Sequence, residues 1–478
     1  MSNSPDTALI HILDDDSLLN VFHLYRPFLL GEDEDDDNRL LGGLGRWVRE
    51  HWWCRLAHVC QRWRNVILGS ASYLSVSLLC TNGTRVADML AHSIPLPLVI
   101  DYSDKYHDIT AEDEEGMVLA LKQRDRVRRV RLRIPLTNLQ KLVVAMDEEY
   151  PILEYLVIMH WIEDNTTIMI FPETFQAPHL RHLVLVGFTL PLRSRLLTTA
   201  VGLVTLGLFM DHPSTYFHPN TLFQWLSLMP QLETLVIDFL FPVPSRNVTR
   251  QLMHMPIMTT ITLPNLHHFR FRGVSTYMEA LVHRITTPRP KKLDIYFFNQ
   301  LTFSVPRIQQ FMNTPESLAF KSVKFEFFDE RVDVDVYQRG EGEMYALSIR
   351  VFCRHLDWQV SSTAQISNSL GQMFSTVERL TLEHRVHNSS SEVHNEVDRI
   401  EWRNLLRSFT NVKNLRIDNV PVEQLSHCLQ LEDGEGPLEL LPELQELTYS
   451  GSSDAGNAFT SFLDTRQDAD RPVVLVLP

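Results

Sequence analysis

Apolar residues along the chain keep two different rhythms. Between Trp52 and Ile67 they fall at Trp52, Leu56, Val59, Trp63 and Val66/Ile67, with Arg55, His58, Arg62 and Asn65 between them. That three-and-four spacing predicts a single amphipathic helix whose apolar stripe needs a cover. An earlier stripe of Leu18, Leu19, Phe22 and Tyr25 predicts another helix. Asp14-Asp15-Asp16 opens it with capping carboxylates at the positive end of the helix dipole, and Pro27 stops it.

Past Gly69 and Ser70 the texture changes to short strands at residues 75–80 and 96–102, and then a repeat sets in. Its pattern is apolar-x-x-apolar-x-apolar, as in Val127/Val130/Leu132, Leu153/Leu156/Ile158, Leu180/Leu183/Leu185, Leu203/Leu206/Leu208, Leu232/Leu235/Ile237 and Leu266/Phe269/Phe271. It weakens at Leu293/Ile295 and Phe320/Val323/Phe325, and recovers at Val377/Leu380/Leu382, Val412/Leu415/Ile417 and Leu444/Leu447/Tyr449. The units are about 23 to 34 residues long, the range of irregular leucine-rich repeats with insertions.

In each copy the two later apolar positions point the same way from a strand. Segments of helical spacing follow, such as 222–229 and 278–282. One unit cannot bury its apolar face alone, whereas a stack can. The expected class is therefore mixed α/β, a small helical head followed by an irregular repeat solenoid. An ordinary α/β domain with alternating strands and helices is the competing reading. Residues 471–478 read as a last edge strand.

Composition narrows the function classes. A chain of 478 residues that is 44% hydrophobic and 22% charged is ordinary globular material, and its formal charge of -15 argues against a general phosphate-binding surface. The basic run 122–133 is the local exception. Its alternation predicts a strand with Val130, Leu132 and Ile134 inward and Arg129, Arg131 and Arg133 outward, with the acidic residues 112–115 close enough in sequence to neutralise it. Neither nucleic acid nor membrane is an expected partner, because no apolar run approaches the roughly 20 residues of a bilayer span. The N-terminus carries no signal-peptide pattern, and five scattered cysteines suit free thiols in the cytoplasm or nucleus.

Chemistry-bearing motifs are sparse. His51, Cys54, His58 and Cys60 are zinc-ligand types, but their spacing is not that of paired knuckles, and no metal or cofactor is expected. The acid run 32–37 lacks the glycine of a calcium loop and reads as part of a solvated insertion at about 27–50. Gly42-Gly43-Leu44-Gly45 lacks the lysine and hydroxyl of a P-loop. With no nucleophile elbow and no His-Glu-x-x-His pair, a non-catalytic protein is expected.

Residues 12–22 together with Trp53-x-x-Leu56-x-x-Val59-Cys60-x-x-Trp63-Arg64-x-x-Ile67 resemble an F-box. With Leu79-Cys80-Thr81-x-Gly83-Thr84 and Pro230-Gln231-Leu232-Glu233-Thr234-Leu235, the chain looks like basidiomycete F-box proteins with a leucine-rich-repeat-like C-terminal region. Two departures are visible: the proline common before the first F-box helix is replaced by Leu13-Asp14, and the acidic insertion separates the helices widely. The resemblance implies an F-box at 1–72 and a substrate-binding repeat domain at 73–478. It implies a substrate-recognition subunit of an SCF-type cullin-RING ubiquitin ligase, docking on a Skp-family adaptor and through it on cullin, with a protein substrate of unknown identity. The adaptor-binding residues implied are Leu13, Leu18, Leu19, Phe22, Leu56, Val59, Cys60, Trp63 and Ile67. The alternative is a repeat scaffold without a ubiquitin role, its head simply capping the stack.

Overall fold

Every apolar triplet read from the sequence runs into a strand, and within each unit of the chain these strands lie side by side in parallel. The computed structural model describes residues 13–25, 52–71, 74, 76–103, 108–160, 168–191, 193–241, 260–288, 291–312, 320–338, 344–385, 399–420, 422–430, 438–450 and 458–476. The acidic insertion, the glycine-rich run and His51 lie outside them. The chain divides into two units, Met1–Leu208 and Phe209–Pro478, so the sequence boundary at 72/73 falls inside the first.

Unit 1 opens with three helices, α1 (Asp15–Tyr25), α2 (Trp52–Ala57) and α3 (Gln61–Gly69), and passes into β1 (Leu78–Cys80), α4 (Val86–His92), β2 (Leu98–Tyr102), α5 (Ala111–Leu121), β3 (Val127–Ile134) and α6 (Leu136–Val144). It continues through β4 (Tyr155–His160), β5 (Met169–Ile170), β6 (His182–Val186), β7 (Phe188–Thr189) and α7 (Arg195–Thr199) to β8 (Thr205–Met210), which spans the boundary between the units. The sheet order is β1-β2-β3-β4-β6-β8, and β5 pairs with β7. Parallel strands cannot be joined by tight hairpins, which is why helices or long loops separate them.

Strand β3 shows how the alternation is used. Val127, Val130, Leu132 and Ile134 are fully buried, and Arg129, Arg131 and Arg133 stand on the opposite face. Glu154 holds Arg128 at 3.0 Å, and Asp101 lies 3.8 Å from Arg131. The acidic residues expected to neutralise this run are spent elsewhere, in the first turn of α5. There Asp113 closes a capping box with Thr110, and Glu114 binds Lys141 at 2.7 Å on α6.

Unit 2 contains α8 (Pro219–Leu226), β9 (Thr234–Phe239), β10 (Ile261–Thr262), β11 (His268–Gly273), α9 (Ser275–Val282), β12 (Ile285–Thr286), β13 (Lys292–Phe298) and α10 (Pro306–Met312). Next come β14 (Ser322–Phe328), β15 (Arg331–Tyr337), β16 (Leu347–Phe352), α11 (Leu356–Ser369), α12 (Gly371–Phe374) and β17 (Arg379–Arg385). It ends with α13 (Arg399–Leu406), β18 (Asn414–Asp418), α14 (Val422–Leu429), β19 (Glu446–Ser450), α15 (Thr460–Asp468) and β20 (Val474–Val476). The order is β9-β11-β13-β16-β15-β14-β17-β18-β19-β20, with β10 and β12 paired apart and β20 at the edge.

That order contains an excursion the repeat pattern does not predict. After β13 the chain lays down β14 three places away, returns antiparallel as β15, and turns again to place β16 parallel beside β13. Strand β17 then resumes in parallel with β14. The crossover from β16 to β17 uses α11, whose 14 residues make it the longest of the described helices.

A backbone device recurs at the start of the strands. The carbonyl of the residue after the first apolar anchor accepts two N–H groups from the next unit, using both of its lone pairs. Glu154 O accepts from Arg181 N and His182 N at 2.9 and 3.1 Å, and Arg181 O from Val204 N and Thr205 N at 2.8 and 3.0 Å. In unit 2, Glu233, His267, Lys321, Glu378 and Lys413 do the same. Side chains at this position alternate in charge between neighbours: Glu378 lies 3.0 Å from Lys321 and 3.6 Å from Lys413. Beside the ladder the anchors Leu153, Leu180, Leu203, Leu232, Phe320, Val377 and Val412 are fully buried.

Candidate functional site

The first candidate surface is the three-helix head. Asp14 caps α1, its Oδ1 accepting from Ser17 N at 2.7 Å, and that hydrogen bond holds its carboxyl below the ordinary aspartate value. Leu18 and Phe22 of α1 are fully buried, and so is Ile67 of α3; Trp52, Ala57 and Val66 join the same core. Leu13, Leu19, Trp53, Leu56 and Trp63 are half-buried around it.

The sequence predicts one helix over 52–67, whereas the structure breaks it. Helix α2 stops at Ala57, His58 and Val59 form a turn, and Cys60 takes an extended conformation with φ -158° and ψ 168°. The Cys60 thiol takes the part of a hydroxyl cap, Sγ accepting from Trp63 N at 3.5 Å. Arg64 folds back from α3 to donate to the Ala57 carbonyl at 3.1 Å, satisfying one of the carbonyls left open at the end of α2. The break takes Val59 off the inward stripe and exposes it.

The nine adaptor residues implied by the F-box resemblance therefore sort by place. Leu18, Phe22 and Ile67 are core, Leu13, Leu19, Leu56 and Trp63 are half-buried, Cys60 is a cap, and Val59 is outside. Apolar residues on the open side are Leu24 at 72% exposure, Val59 at 59%, Tyr25 at 56% and Val21 at 43%. The sequence reading took Tyr25 as part of the inward face and did not single out Val21 or Leu24. Arg62 ties the start of α1 to α3, donating to the Leu13 carbonyl at 2.6 Å and to Asp15 at 2.8 Å.

Of the four zinc-ligand types, burial pushes the Cys54 thiol up, which keeps it protonated and a poor ligand. Among the described residues no group of three or more His, Cys, Asp or Glu is placed to hold a metal ion. Burial likewise pushes the Cys80 and Cys353 thiols up to about 12.

The second candidate surface is the polar face of the unit 2 sheet. Alternate residues of β9, β11, β13, β16, β15, β14 and β17 bring Asp238, Arg270, Arg272, Tyr296, Arg350, Asp333, Lys324 and Glu383 into adjoining rows. The Tyr296 ring lies between two guanidinium groups, Arg270 and Arg350, each 4.8 Å from its centroid. Arg350 also donates to the Tyr296 hydroxyl and approaches Asp333 at 3.4 Å. His268 Nε2 is 2.9 Å from Asp294 and Lys292 is 3.6 Å from the same carboxyl oxygen.

Electrostatics divide this face. Burial raises the Asp294 carboxyl, but the His268 hydrogen bond and the charge of Lys292 outweigh it and hold it low. On β15 burial prevails instead: Asp333 is raised against Arg350 and Arg331, and Asp335 is pushed up to about 6 with Asp333 and Glu326 adding to the effect. Lys324, between Glu326 at 2.9 Å and Glu383 at 2.8 Å, is held above its ordinary value against burial. Such a lattice of fixed charges and aromatic faces can orient a polar partner by complementary contacts.

Residues of this face went unnoticed in the sequence because alternation in a strand marks its buried side, leaving the polar side to read as solvent-facing. The signal was present in Arg331-Val332-Asp333-Val334-Asp335-Val336-Tyr337, where three carboxylate or guanidinium groups alternate with valine. Among the described residues no helix is long and apolar enough to cross a membrane. No family model matches the chain, and no curated protein matches it in sequence.

Proposed function

We propose that this chain is the substrate-recognition subunit of an SCF-type cullin-RING ubiquitin ligase. Its head acts as an F-box on a Skp-family adaptor, and its strand repeats act as a leucine-rich-repeat body that binds the target protein. The observation that carries the reading is the uncovered apolar edge of the head: Val21, Leu24 and Tyr25 on α1 with Val59 in the α2–α3 turn, outside a core that is already closed. A helical module that leaves large apolar side chains in water beside a filled core has the character of a docking element. The chemistry follows from position. Holding a target lysine near a reactive thioester raises its effective concentration, so the subunit itself donates no catalytic group.

A second reading has its own observation. The head core is continuous with Leu74, Val76 and Leu96 beside the first strands, as expected of a cap on a repeat stack that serves as a scaffold without a ubiquitin role. One experiment separates the two. The full chain, co-expressed with a Skp-family adaptor and a cullin, is purified beside the Leu24→Asp and Tyr25→Asp variants. Co-purification that both variants lose supports the ligase subunit. A well-folded wild-type chain that brings down neither adaptor nor cullin leaves the scaffold.

A further inference from the structure

The arginines on the polar face of unit 2 are not equivalent. Arg350 is engaged by Asp333 and Tyr296, Arg385 by Glu326 at 2.9 Å, and Arg416 by Asp418 at 2.7 Å. Arg272, near the C-terminal end of β11, makes no hydrogen bond among the described residues, and its buried Nε is without a partner. Its nearest carboxylate, Asp238, stands 3.8 Å away, beyond hydrogen-bond range, and is shared with Arg270 at 3.5 Å.

What holds Arg272 is aromatic. Its guanidinium lies over Phe352 at 5.0 Å and Phe298 at 5.5 Å, two rings set beside each other by the β13–β16 register. The rings fix the guanidinium plane and remove much of its water while leaving its hydrogen-bonding edge unspent. The side chain keeps 26% exposure, enough for an approaching group to reach the fork.

We propose that Arg272 anchors an oxyanion-binding subsite on this face, taking a carboxylate or phosphate group carried by a partner polypeptide. The planar fork of N–H donors matches two oxygens of either group, and a charge-assisted pair gains from the low-dielectric surroundings the rings create. The ligand is a polypeptide side chain because the site is a shelf on an extended face. Phe298, Phe352 and Tyr296 offer aromatic surface for the residues flanking the anion, as aromatic and arginine anchors do at protein interfaces. The proposal rests on reading this face as the target-binding surface and is independent of what the head docks on.

The test uses the full chain on immobilised peptides sharing Leu- and Phe-rich flanks, with glutamate, glutamine, phosphoserine or serine at the centre. Retention of the glutamate or phosphoserine peptides at least 10-fold above their neutral counterparts is expected. It should fall to the neutral level in Arg272→Met and persist in Arg416→Met. Glutamate alone assigns the subsite to carboxylate and phosphoserine alone to phosphate, and either supports it. Equal retention of charged and neutral peptides, no retention of any, or equal loss in both variants overturns it. Adaptor co-purification, measured on the same Arg272→Met preparation, stays at the wild-type level, so failure of this subsite is distinguishable from failure of the ligase reading.

Discussion

The ring of Phe22 on α1 meets the indole of Trp63 on α3 edge-on, with centroids 4.9 Å apart and planes at 62°. This contact joins two helices separated by the long acidic insertion, so the pair measures whether the head is closed. Phe22→Ala removes a fully buried ring and is expected to cost about 3–5 kcal/mol, enough to open the head. Leu24→Ala, on the exposed side, is expected to change stability by less than about 0.5 kcal/mol while weakening adaptor co-purification. Chemical denaturation of each variant beside a pull-down separates folding from docking.

Asp113 closes the α5 N-terminus from both sides. Its Oδ2 accepts from Thr110 N at 3.1 Å, and its Oδ1 accepts from Gly83 N at 2.8 Å. Asp113→Ala is expected to lower unfolding free energy by about 1–3 kcal/mol, because the cap and the Gly83 N–H partner are lost together. Asp113→Asn should recover part of that, since one carbonyl oxygen can still accept. Urea melts of the three proteins are the measurement.

Gly273 ends β11 against a ring cluster. A Cβ there would stand 2.7 Å from Phe271 Cζ and 3.1 Å from Phe239 Cδ2. Phe271 cannot swing away, being fully buried and stacked on Tyr277 at 5.8 Å. Gly273→Ala is therefore expected to destabilise unit 2 by about 1–3 kcal/mol through overpacking. A thermal shift lowered by several degrees checks it, and an unchanged melt would show that the cluster gives way.

Asp335 makes stability depend on pH. Its carboxyl titrates near pH of about 6 in the folded chain against an ordinary 3.8, because burial disfavours the charge. A raised value means that the folded state binds the proton more tightly, so this contribution to stability is full below the ordinary value and is lost as pH rises through about 6. Asp335→Asn removes the dependence. Relative to wild type the variant should gain stability between pH 4 and 7 and then level off, as followed by denaturation at a series of pH values. A difference that stays flat across that range would place the carboxyl in a wetter setting.

Legibility in the sequence followed what each position contributes. The anchors Leu153, Leu180, Leu203 and Leu232 announced their strands because each must be buried whatever its neighbours do, and all are. Strands β15 and β16 were missed because they carry no anchor triplet, although the repeat faded at Leu293 and Phe320, on either side of the chain that makes the jump. The break at Cys60 was hidden for another reason: no proline or glycine marks it, and a thiol cap does not stand out from a helical thiol. Arg272 and Tyr296 were illegible as a site because their partners come from strands distant in sequence, joined only by sheet register.

The excursion through β14, β15 and β16 obeys a parity rule. Two successive reversals of direction cancel, so β17 can add to β14 with the same polarity that β11 shares with β9. Strands can therefore be gained or lost here only in pairs. Loss of β15 alone would leave β14 and β16 as parallel neighbours without a helical crossover to join them, whereas removing a reversing pair restores an uninterrupted series. Growth of such a sheet by duplication would preserve the direction of every later strand only when it proceeds in that even currency.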